Sequence, residues 1–481
     1  MSRTYQGTES LATAAQIADA TKGSLVAGEP AATCTCVCTD SRTPAQASVF
    51  VALKGENFDG AKFVSAAVKT GASIVLVERS AYTSGLADQD LGQAAVVVVK
   101  DSLKALGDLA AWHRRRFAAR VVAITGSNGK TSTKEMTAAV LGGRPTVLFN
   151  RGNFNNLIGM PRDLLSLDDS HLHAVMEMGM NASGEIARLA QIAEPQVGVI
   201  TNVHPVHLEG MGNIEAVARA KAELLEALPG DGTAVLNAED PHVLRMAGRT
   251  RANRVTFGRV PNADVRIVSV EQKPDLLELS LDLQGSSISL GLSRPGVHNA
   301  MNAAAAAAVA MIEGVEPEVI KDRLISSPMP ALRTERLKLG SGHLLIDCYN
   351  ANPRSMQAAL ATLGQLAPQG QRYAILGDMR ELGDSSSELH HQVGHAAAST
   401  GLTGLCALGP LAEEIADGAR AGGLAEVDWT ESQDQATDWA KKRVEQAGWV
   451  LIKGSRAMRM ERIAVKLGQA FGVEWPNKEG E

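Results

Sequence analysis

The chain has 481 residues, 45% of them hydrophobic and 21% charged, a composition typical of a globular protein with about two to four domains. Its formal net charge is −6, so the chain has no excess of positive charge, which argues against a nucleic-acid partner. No apolar run approaches the roughly 20 residues that span a bilayer, and the first residues hold no apolar segment typical of a secretory signal. Five cysteines would stay reduced inside a cell, so we expect a cytoplasmic protein without a membrane span.

Residues 1–86 alternate short strands with a helix, as a small α/β domain does. The hydrophobic pattern predicts strands at 48–53 and 72–77 and a helix near 61–70. A linker is predicted at 81–93, where large apolar residues are few.

Three cysteines near the N-terminus could mark either a sheet or a metal site. Cys34, Cys36 and Cys38 alternate with other residues, so they would share one face of a strand. Metal sites more often show Cys-x-x-Cys pairs with a distant partner set. The spacing therefore favours small hydrophobic side chains in a sheet.

The centre of the chain alternates strand and helix patterns. The predicted elements are a strand at 94–99, a helix at 102–116, and strands at 121–125, 174–177 and 197–202. This alternation predicts a mostly parallel sheet with helices on both faces. The alanine run at 303–310 predicts a closely packed helix, because alanine has the highest helix propensity.

A second α/β domain is predicted after the Ser-Pro-Met-Pro segment at 327–330. Helical stretches separate four buried-strand candidates, at 344–347, 373–376, 405–408 and 450–453. Ligands of such doubly wound sheets bind at the carboxyl ends of the strands, where Asp347, Asp378 and the segment 453–456 fall.

The segment 121–131 is the most informative of the chain. A β-branched apolar strand runs into Thr-Gly-Ser-Asn-Gly-Lys-Thr, and a helix pattern follows. Such a loop binds nucleotide phosphates with backbone N–H groups and the helix N-terminus. Lys130 would reach the β- and γ-phosphates and the Thr131 hydroxyl would bind Mg²⁺. Ile124 stands where the usual pattern has its first glycine, so the loop is a shortened form; an ordinary Gly-rich turn is the alternative.

Other polar residues allow both a structural and a functional interpretation. Glu177 is the last residue of a predicted strand, where it could be either a Mg²⁺-binding carboxylate or an ordinary surface carboxylate. His207 follows another strand, and Lys221 alone resembles an ordinary helix-surface charge. The remaining candidates are amides that either form turns and caps or bind a ligand: Asn153, Asn155, Asn156, Asn299 and Asn302.

Together these motifs resemble the Mur ligases, ATP-dependent amide-bond-forming enzymes of peptidoglycan precursor synthesis. The resemblance covers nearly the whole chain. It rests on TDSR (39–42), VFVALKGE (49–56), FDG (58–60), TGSNGKTSTKE (125–135), GNFNNLIGMP (152–161), Glu177, HLEG (207–210), HNAMNA (298–303), DCYNANP (347–353), GDMRELG (377–383) and KGSR (453–456). Within the family, YNANP, GDMxELG and KGSR together indicate the addition of D-alanyl-D-alanine to UDP-N-acetylmuramoyl-tripeptide.

The resemblance implies three α/β domains and one reaction. Residues 1–86 would bind the UDP-muropeptide, 87–328 would form a P-loop ATPase-like parallel-sheet domain, and 329–481 would form a Rossmann-like domain for the amino substrate. The reaction would pass through an acyl phosphate to UDP-N-acetylmuramoyl-pentapeptide, ADP and phosphate. We expect small-molecule substrates and a monomer.

The resemblance also implies the cofactor sites. ATP would contact the loop residues Gly126, Ser127, Asn128, Gly129, Lys130, Thr131 and Ser132. Asn299 would contact adenine, and Arg333 and Asp347 would approach the γ-phosphate and ribose. Thr131 and Glu177 would bind one Mg²⁺. His207 and a carbamylated Lys221 would bind a second, because CO₂ turns the repelling ammonium into a carboxylate. Lys130, Glu177, His207 and Lys221 would be the catalytic residues.

Substrate contacts follow from the resemblance in the same way. They would come from Ser41, Arg42 and Lys54 for the uridine diphosphate, from Asn153, Asn155 and Asn156, and from Asn350, Lys453, Ser455 and Arg456 for the amino substrate.

Several alternatives stay open. A sister ligase that adds one amino acid is disfavoured by YNANP and KGSR, and a folate polyglutamate ligase leaves the N-terminal domain unexplained. A switch or motor NTPase would hydrolyse nucleotide without a carboxylate substrate, and a binding protein gives Lys130, Glu177 and His207 no joint task. The third residue of the tripeptide is either diaminopimelate or lysine.

Overall fold

A computed structural model describes residues 10–42, 46–55, 58–206, 208–328 and 330–475. Its N-terminal elements are β1 (Ala12–Thr13), α1 (Ala14–Thr21), β2 (Ser24–Ala27), β3 (Thr33–Cys34), β4 (Cys36–Cys38), β5 (Ser48–Val51), α2 (Val64–Lys69), β6 (Ala72–Glu78), α3 (Arg79–Ala81), β7 (Ala95–Val99) and α4 (Ser102–Arg114). The predicted strands at 48–53 and 72–77 correspond to β5 and β6.

Five of these strands form one sheet in the order β2-β7-β6-β5-β4, parallel except for the edge pair β2–β7. Strand β7 is buried throughout and pairs with β6, so it belongs to this sheet. The prediction that 94–99 opens the next domain was therefore wrong. A strand buried on both faces has no alternation that shows which sheet it joins.

The three N-terminal cysteines lie in two strands, which corrects the prediction of one shared strand face. Cys34 ends β3, which pairs with β1, whereas Cys36 and Cys38 lie in β4, which pairs with β5. The chain changes its partner at Thr35, whose N–H donates to the Ala47 carbonyl at 2.7 Å. Burial raises the pKa of the Cys34 thiol to about 12, so it is a neutral core group.

The central elements follow in chain order. They are β8 (Arg120–Thr125), α5 (Lys130–Val140), β9 (Val147–Phe149), α6 (Gly159–Leu164), β10 (His173–Glu177), α7 (Glu185–Ala193), β11 (Val197–Ile200), α8 (Leu208–Met211), α9 (Ile214–Glu226), β12 (Thr233–Asn237), α10 (Pro241–Met246), β13 (Asn253–Gly258), β14 (Val265–Gln272), β15 (Leu277–Leu283), β16 (Ser286–Leu292), α11 (His298–Ile312) and α12 (Pro317–Ile325).

The nine central strands form one sheet in the order β16-β15-β14-β13-β12-β11-β8-β10-β9. The pairs β9–β10, β11–β12, β12–β13 and β13–β14 are parallel, as predicted, whereas β14, β15 and β16 form an antiparallel meander that was not predicted. The alanine run is buried all around α11, which packs against α5 and against strands of the central sheet. Methyl side chains let these two helices approach closely.

The C-terminal elements are β17 (Glu335–Leu339), β18 (Gly342–Ile346), α13 (Pro353–Leu366), β19 (Arg372–Gly377), α14 (Ser386–Ala398), β20 (Gly404–Leu408), α15 (Glu413–Ala421), β21 (Val427–Thr430), α16 (Gln433–Glu445), β22 (Trp449–Lys453) and α17 (Glu461–Ala470). The sheet order is β17-β18-β22-β19-β20-β21, parallel apart from β17. The four predicted buried strands are present as β18, β19, β20 and β22. The α/β fold class is confirmed.

The chain divides into two compact units. The first holds the described residues up to Ala123 with Arg144–Gly179 and Glu185–Gln196, and the second holds Ile124–Gly143, Met180–Gly184 and the described residues from Val197 onward. Among the described helices, none has both the length and the apolar character that a bilayer crossing requires.

Two glycines let α14 and α15 pack closely in the second unit. A methyl group at Gly394 would overlap the Ile415 carbonyl oxygen, and one at Gly418 would overlap the His391 carbonyl oxygen. Backbone therefore packs directly against backbone, and neither contact can be relieved by a rotamer change.

Replacing Gly394 tests this packing. We expect Gly394→Ala to lower the free energy of unfolding by about 1–3 kcal/mol, because the new methyl forces the helices apart. The matched control is Gly364→Ala in α13, where the nearest atom is an Arg372 side-chain nitrogen at 3.6 Å. That helix has room, so the control should gain about 0.5–1 kcal/mol. Urea denaturation measures both, and equal effects of the two variants would contradict the packing argument.

Candidate functional site

The phosphate loop joins β8 to α5 in the second unit. Gly126 has φ +154° and Gly129 has φ +82°. A Cβ at Gly126 would overlap the Thr201 hydroxyl, and one at Gly129 would overlap the Asn302 side-chain oxygen. Both positions therefore require glycine for space as well as for conformation.

Two residues that follow β11 hold the loop backbone. Asn202 Oδ1 accepts from the Asn128 N–H at 2.8 Å, and Asn202 Nδ2 donates to the Asn128 carbonyl at 3.0 Å. The Thr201 hydroxyl donates to the same carbonyl at 2.7 Å. The Ser127 N–H donates to the Asn202 carbonyl at 2.9 Å. Sequence reasoning missed Thr201 and Asn202 as site residues, and their position at a strand end was the available signal.

The N-terminus of α5 is suited to an anion. Among the described residues, no side chain caps this helix at Gly129. The first-turn N–H groups and the helix dipole therefore favour a negative ligand. Lys130 Nζ donates to the Gly126 carbonyl at 2.8 Å and to the Ser127 carbonyl at 3.3 Å, so its ammonium lies over the loop. Thr131 and Ser132 follow as buried residues of the same turn.

Arg333 reaches the phosphate loop from the C-terminal part of the second unit. Its guanidinium donates to the Thr131 hydroxyl at 3.0 Å and stacks on the Tyr349 ring at 4.3 Å. The structure thus brings two predicted ATP residues, Arg333 and Thr131, together. A planar cation beside an anion-binding loop is well suited to phosphate oxygens.

At the ends of β18 and β22, the buried Lys453 pairs with the partly buried Asp347. Lys453 Nζ lies 2.7 Å from Asp347 Oδ2 and donates to the Asn350 carbonyl at 3.0 Å. Lys453 is 2% exposed, so in this arrangement its ammonium holds two predicted site residues instead of facing an open cleft. Asn350 itself is exposed.

Ser455 connects two of the C-terminal motifs. Its N–H donates to the Asp378 carbonyl at 3.0 Å, and its hydroxyl accepts from the Arg380 N–H at 2.9 Å. Arg456 pairs with the fully buried Glu461 at 2.5 Å. These bonds fix the two strand-end loops relative to each other.

The amides of α11 support the loop helix. Asn302 Nδ2 donates to Asn299 Oδ1 at 3.0 Å, and Asn302 Oδ1 accepts from the Thr133 hydroxyl at 3.3 Å. Asn299 Nδ2 donates to the Pro295 carbonyl at 2.8 Å. Asn299 is 3% exposed, so its predicted contact with adenine remains a prediction.

Lys221 lies in α9 and is 2% exposed. Burial, with a smaller contribution from the charge of Lys130, holds the pKa of its ammonium well below the usual range. A neutral amine is a nucleophile, so this lysine is chemically unlike a surface charge. His207 lies outside the described residues, and burial lowers the pKa of nearby His204.

Glu177 closes β10 in the first unit and is 1% exposed. Its N–H donates to Asn150 Oδ1 at 2.8 Å, and its Oε1 accepts from Asn155 Nδ2 at 2.7 Å. Its Oε2 is buried and has no hydrogen-bond partner among the described residues. A buried carboxylate oxygen without a hydrogen-bond partner is suited to coordinate a cation. Asn150 was missed by sequence reasoning.

The other two asparagines of the cluster have different surroundings. Asn156 Oδ1 accepts from the Ile158 N–H at 3.1 Å and from the Gly159 N–H at 2.8 Å, so it shapes the turn into α6. Asn153 is exposed, and its carbonyl accepts from the Asn155 N–H at 2.7 Å. The described residues contain no group of three or more His, Cys, Asp or Glu side chains placed to bind a metal ion.

The predicted UDP-binding residues lie in the first unit. Arg42 has a side chain 88% exposed and forms a 2.7 Å ion pair with Asp40. Ser41 adjoins that pair. The exposed Lys54 forms an isolated backbone β-bridge with Asp59. An exposed guanidinium and ammonium suit an anionic ligand.

Comparison with known proteins gives three family matches. The Mur ligase family catalytic domain matches residues 33–114, the Mur ligase middle domain matches 124–310, and the Mur ligase glutamate ligase domain matches 332–456.

Full-length relatives are similar throughout. The UDP-N-acetylmuramoyl-tripeptide–D-alanyl-D-alanine ligase of Escherichia coli (strain K12) is 36% identical, over 94% of this chain and 97% of that one. The enzyme of the same name from Bacillus subtilis (strain 168) is 35% identical, over 90% of this chain and 92% of that one.

Solved structures are similar as well. A crystal structure of MurF from Acinetobacter baumannii has a TM-score of 0.87 at 32% identity, covering 95% of this chain and 98% of that one. MurF ligase from Thermotoga maritima in complex with ADP has a TM-score of 0.80 at 27% identity, covering 91% of this chain and 98% of that one.

The Asp40–Arg42 pair gives a prediction about titration. Hydrogen bonds from Arg42 lower the pKa of Asp40 from 3.8 to about 2. This pair therefore stabilises the fold fully only above pH 3.8, and its contribution is lost as pH falls through about 2. We expect Arg42→Ala to return the Asp40 pKa toward 3.8 and Arg42→Lys, which keeps the charge without the two-pronged contact, to give an intermediate value.

Carbon-detected NMR of the Asp40 carboxyl group measures this titration. An unchanged titration in Arg42→Ala would contradict the pairing.

Proposed function

Because this chain belongs to the Mur ligase family, we propose that it joins D-alanyl-D-alanine to UDP-N-acetylmuramoyl-tripeptide in an ATP-dependent reaction. The products are UDP-N-acetylmuramoyl-pentapeptide, ADP and phosphate, a step of peptidoglycan precursor synthesis. The observation that carries the proposal is the contact of Arg333 with Thr131, which joins the C-terminal motifs to the phosphate loop. A switch or motor NTPase would give those motifs no task.

The chemistry requires activation of a carboxylate. The carboxylate that ends the tripeptide is a poor acyl donor, since it would have to expel an oxide or hydroxide. A carboxylate oxygen first attacks the γ-phosphorus of ATP and forms an acyl phosphate. The bond between the γ-phosphorus and the oxygen of the β-phosphate breaks, and ADP leaves. The free amine of D-alanyl-D-alanine then attacks the acyl carbon, phosphate leaves the tetrahedral intermediate, and the nitrogen loses a proton.

The phosphate loop is proposed to position ATP. Lys130 would exchange its loop carbonyls for phosphate oxygens. The N–H groups of Gly129, Lys130, Thr131 and Ser132 would surround the phosphates, since those of Ser127 and Asn128 donate to Asn202. Arg333, which donates to the Thr131 hydroxyl, is proposed to contact the γ-phosphate, and Asp347 and Asn299 are proposed to bind the ribose and adenine.

The residues present fit Mg²⁺. Within the first unit, Glu177 Oε2 is a buried oxygen without a hydrogen bond from the described residues, which suits a Mg²⁺ ligand. The resemblance to Mur ligases gives the Thr131 hydroxyl as a further ligand. Bound Mg²⁺ would neutralise charge on the transferred phosphoryl group. Asn150 and Asn155 orient Glu177 for this role. Two ions are proposed, the second held by His207 and carbamylated Lys221.

Substrate contacts complete the proposal. Ser41, Arg42 and Lys54 would bind the uridine diphosphate, and Asn153, Asn155 and Asn156 would bind the muropeptide. Asn350, Ser455 and Arg456 would line the site of the amino substrate, where Lys453 acts through Asp347 and Asn350.

The domain boundaries are also proposed. The sequence prediction gave a UDP-muropeptide domain at 1–86, an ATP domain at 87–328 and an amino-substrate domain at 329–481. Because β7 pairs with β6, we propose that the first boundary follows β7, and we keep the second. A monomer working in the cytoplasm, where ATP is available, suits this arrangement.

The decisive assay measures phosphate release with ATP, Mg²⁺ and UDP-N-acetylmuramoyl-tripeptide, with and without D-alanyl-D-alanine, and identifies the product by mass. We expect product only with all substrates. Lys130→Ala should abolish turnover, because no other group then neutralises the phosphates from within the loop. The control is Lys321→Ala, on a surface pair with Glu318 at 2.8 Å, which should be fully active. Product formation by Lys130→Ala would overturn the role of Lys130 in binding ATP, and phosphate release from ATP alone would overturn the proposed ligase function.

Carbamylation of Lys221 has its own test. The neutral amine adds CO₂ and loses a proton, giving a carbamate, and burial favours the neutral amine this addition requires. We expect a carbamate carbon resonance when wild-type protein is equilibrated with ¹³C-bicarbonate, and none in Lys221→Met. A resonance that survives the substitution, or its absence in the wild type, would contradict the carbamate.

A further inference from the structure

We propose that Asn352 is a positioning residue that fastens the C-terminal segment to the phosphate loop, and that it does so through Asn128. This inference rests on the proposed ligase function. Asn352 is the second asparagine of YNANP, for which the motif comparison gave no separate role. It is 4% exposed and lies at the start of α13.

The two side chains form a reciprocal amide pair. Asn352 Nδ2 donates to Asn128 Oδ1 at 2.7 Å, and Asn128 Nδ2 donates to Asn352 Oδ1 at 3.4 Å. The residues are 224 positions apart in the chain, so the pair connects two distant parts of the second unit.

Helix capping sets the orientation of the Asn352 amide. Its Oδ1 accepts from the Ser355 N–H at 2.9 Å, and the Ser355 hydroxyl accepts from the Asn352 N–H at 3.0 Å. Pro353 occupies the first turn and adds stiffness. With Oδ1 committed to the cap, Nδ2 is left to face Asn128.

Asn128 is a suitable partner for this contact because its backbone is held in place. Its N–H and carbonyl form hydrogen bonds with Asn202 and Thr201, so a contact with its side chain also positions the phosphate loop. The contact of Arg333 with Thr131 joins the same two parts three residues further along the loop. Two contacts, one neutral and one charged, therefore join the C-terminal segment to the loop itself.

A neutral pair has a chemical advantage here. An amide donates and accepts without adding charge beside the phosphates, whereas a carboxylate would repel them. Covering the loop excludes water from the acyl phosphate, which water would otherwise hydrolyse. Loss of the pair should therefore lower the efficiency of ATP use and also release phosphate without amide formation.

The experiment separates this role from helix capping. Asn352→Ser keeps a good N-cap but is too short to reach Asn128. Ser355→Ala removes the other half of the capping box and leaves the amide pair. We expect Asn352→Ser to melt near the wild-type temperature, to lower kcat/KM for ATP about three- to tenfold, and to lower the amide formed per phosphate released. Ser355→Ala should lower the melting temperature and keep the wild-type ratio of amide to phosphate.

A double-mutant cycle provides the second test. Asn128→Ser should reproduce the kinetic loss, and Asn128→Ser with Asn352→Ser should lose no more than either alone, because both remove one interaction. Additive losses, or a wild-type product ratio in Asn352→Ser, would overturn the role of Asn352. A wild-type protein that makes no pentapeptide would overturn the proposed function instead, so the two failures are distinguishable.

Discussion

The backbone of the phosphate loop imposes the constraint on which the second unit depends. A loop that offers its N–H groups to an anion must satisfy its carbonyl groups elsewhere, because an unpaired buried carbonyl is costly. Here Thr201 and Asn202 satisfy the Asn128 carbonyl, and the ammonium of Lys130 satisfies two others. The end of β11 must therefore lie beside the end of β8, which the parallel sheet provides. Glycines at the crowded positions follow from the same requirement.

Charge is distributed unevenly around this loop, and the distribution has a physical reason. Apart from the cations of Lys130 and Arg333, the connections near the loop are made by the hydroxyl of Thr201 and the amides of Asn202, Asn302 and Asn352. Such neutral groups fix the conformation of the loop without adding a charge that would repel or bind the phosphates. Ion pairs with one buried partner lie further along, at Lys453 with Asp347 and at Arg456 with Glu461. Lys453 and Glu461 are the buried partners, so loss of Asp347 or Arg456 would leave an unpaired buried charge, and this holds the strand-end loops in one geometry.

The parts of the structure that sequence predicted are those encoded locally. Lys130 and Thr131 follow from a strand, a loop and a helix start within eleven residues, and the buried C-terminal strands follow from short apolar runs. The meander was missed although Leu277, Leu279 and Leu281 alternate with more exposed neighbours, a signal that was present and unused. Thr201, Asn202, Asn150 and Asn352 could not be predicted in the same way. Their roles depend on which distant segment each side chain meets, and the spacing of residues along one chain does not encode that.

The alanine run of α11 has a consequence for how this protein could be inhibited. These alanines are fully buried in the helix that packs behind the loop helix α5. On the α11 side of the contact, their methyl side chains have no rotamer that can swing aside to open a pocket. A compound aimed at the back of the loop would have to separate two helices, at the cost of their whole interface. Selective chemistry therefore has to approach from the front, where the guanidinium of Arg333 and the hydroxyl of Thr131 offer polar groups that a small molecule can compete for.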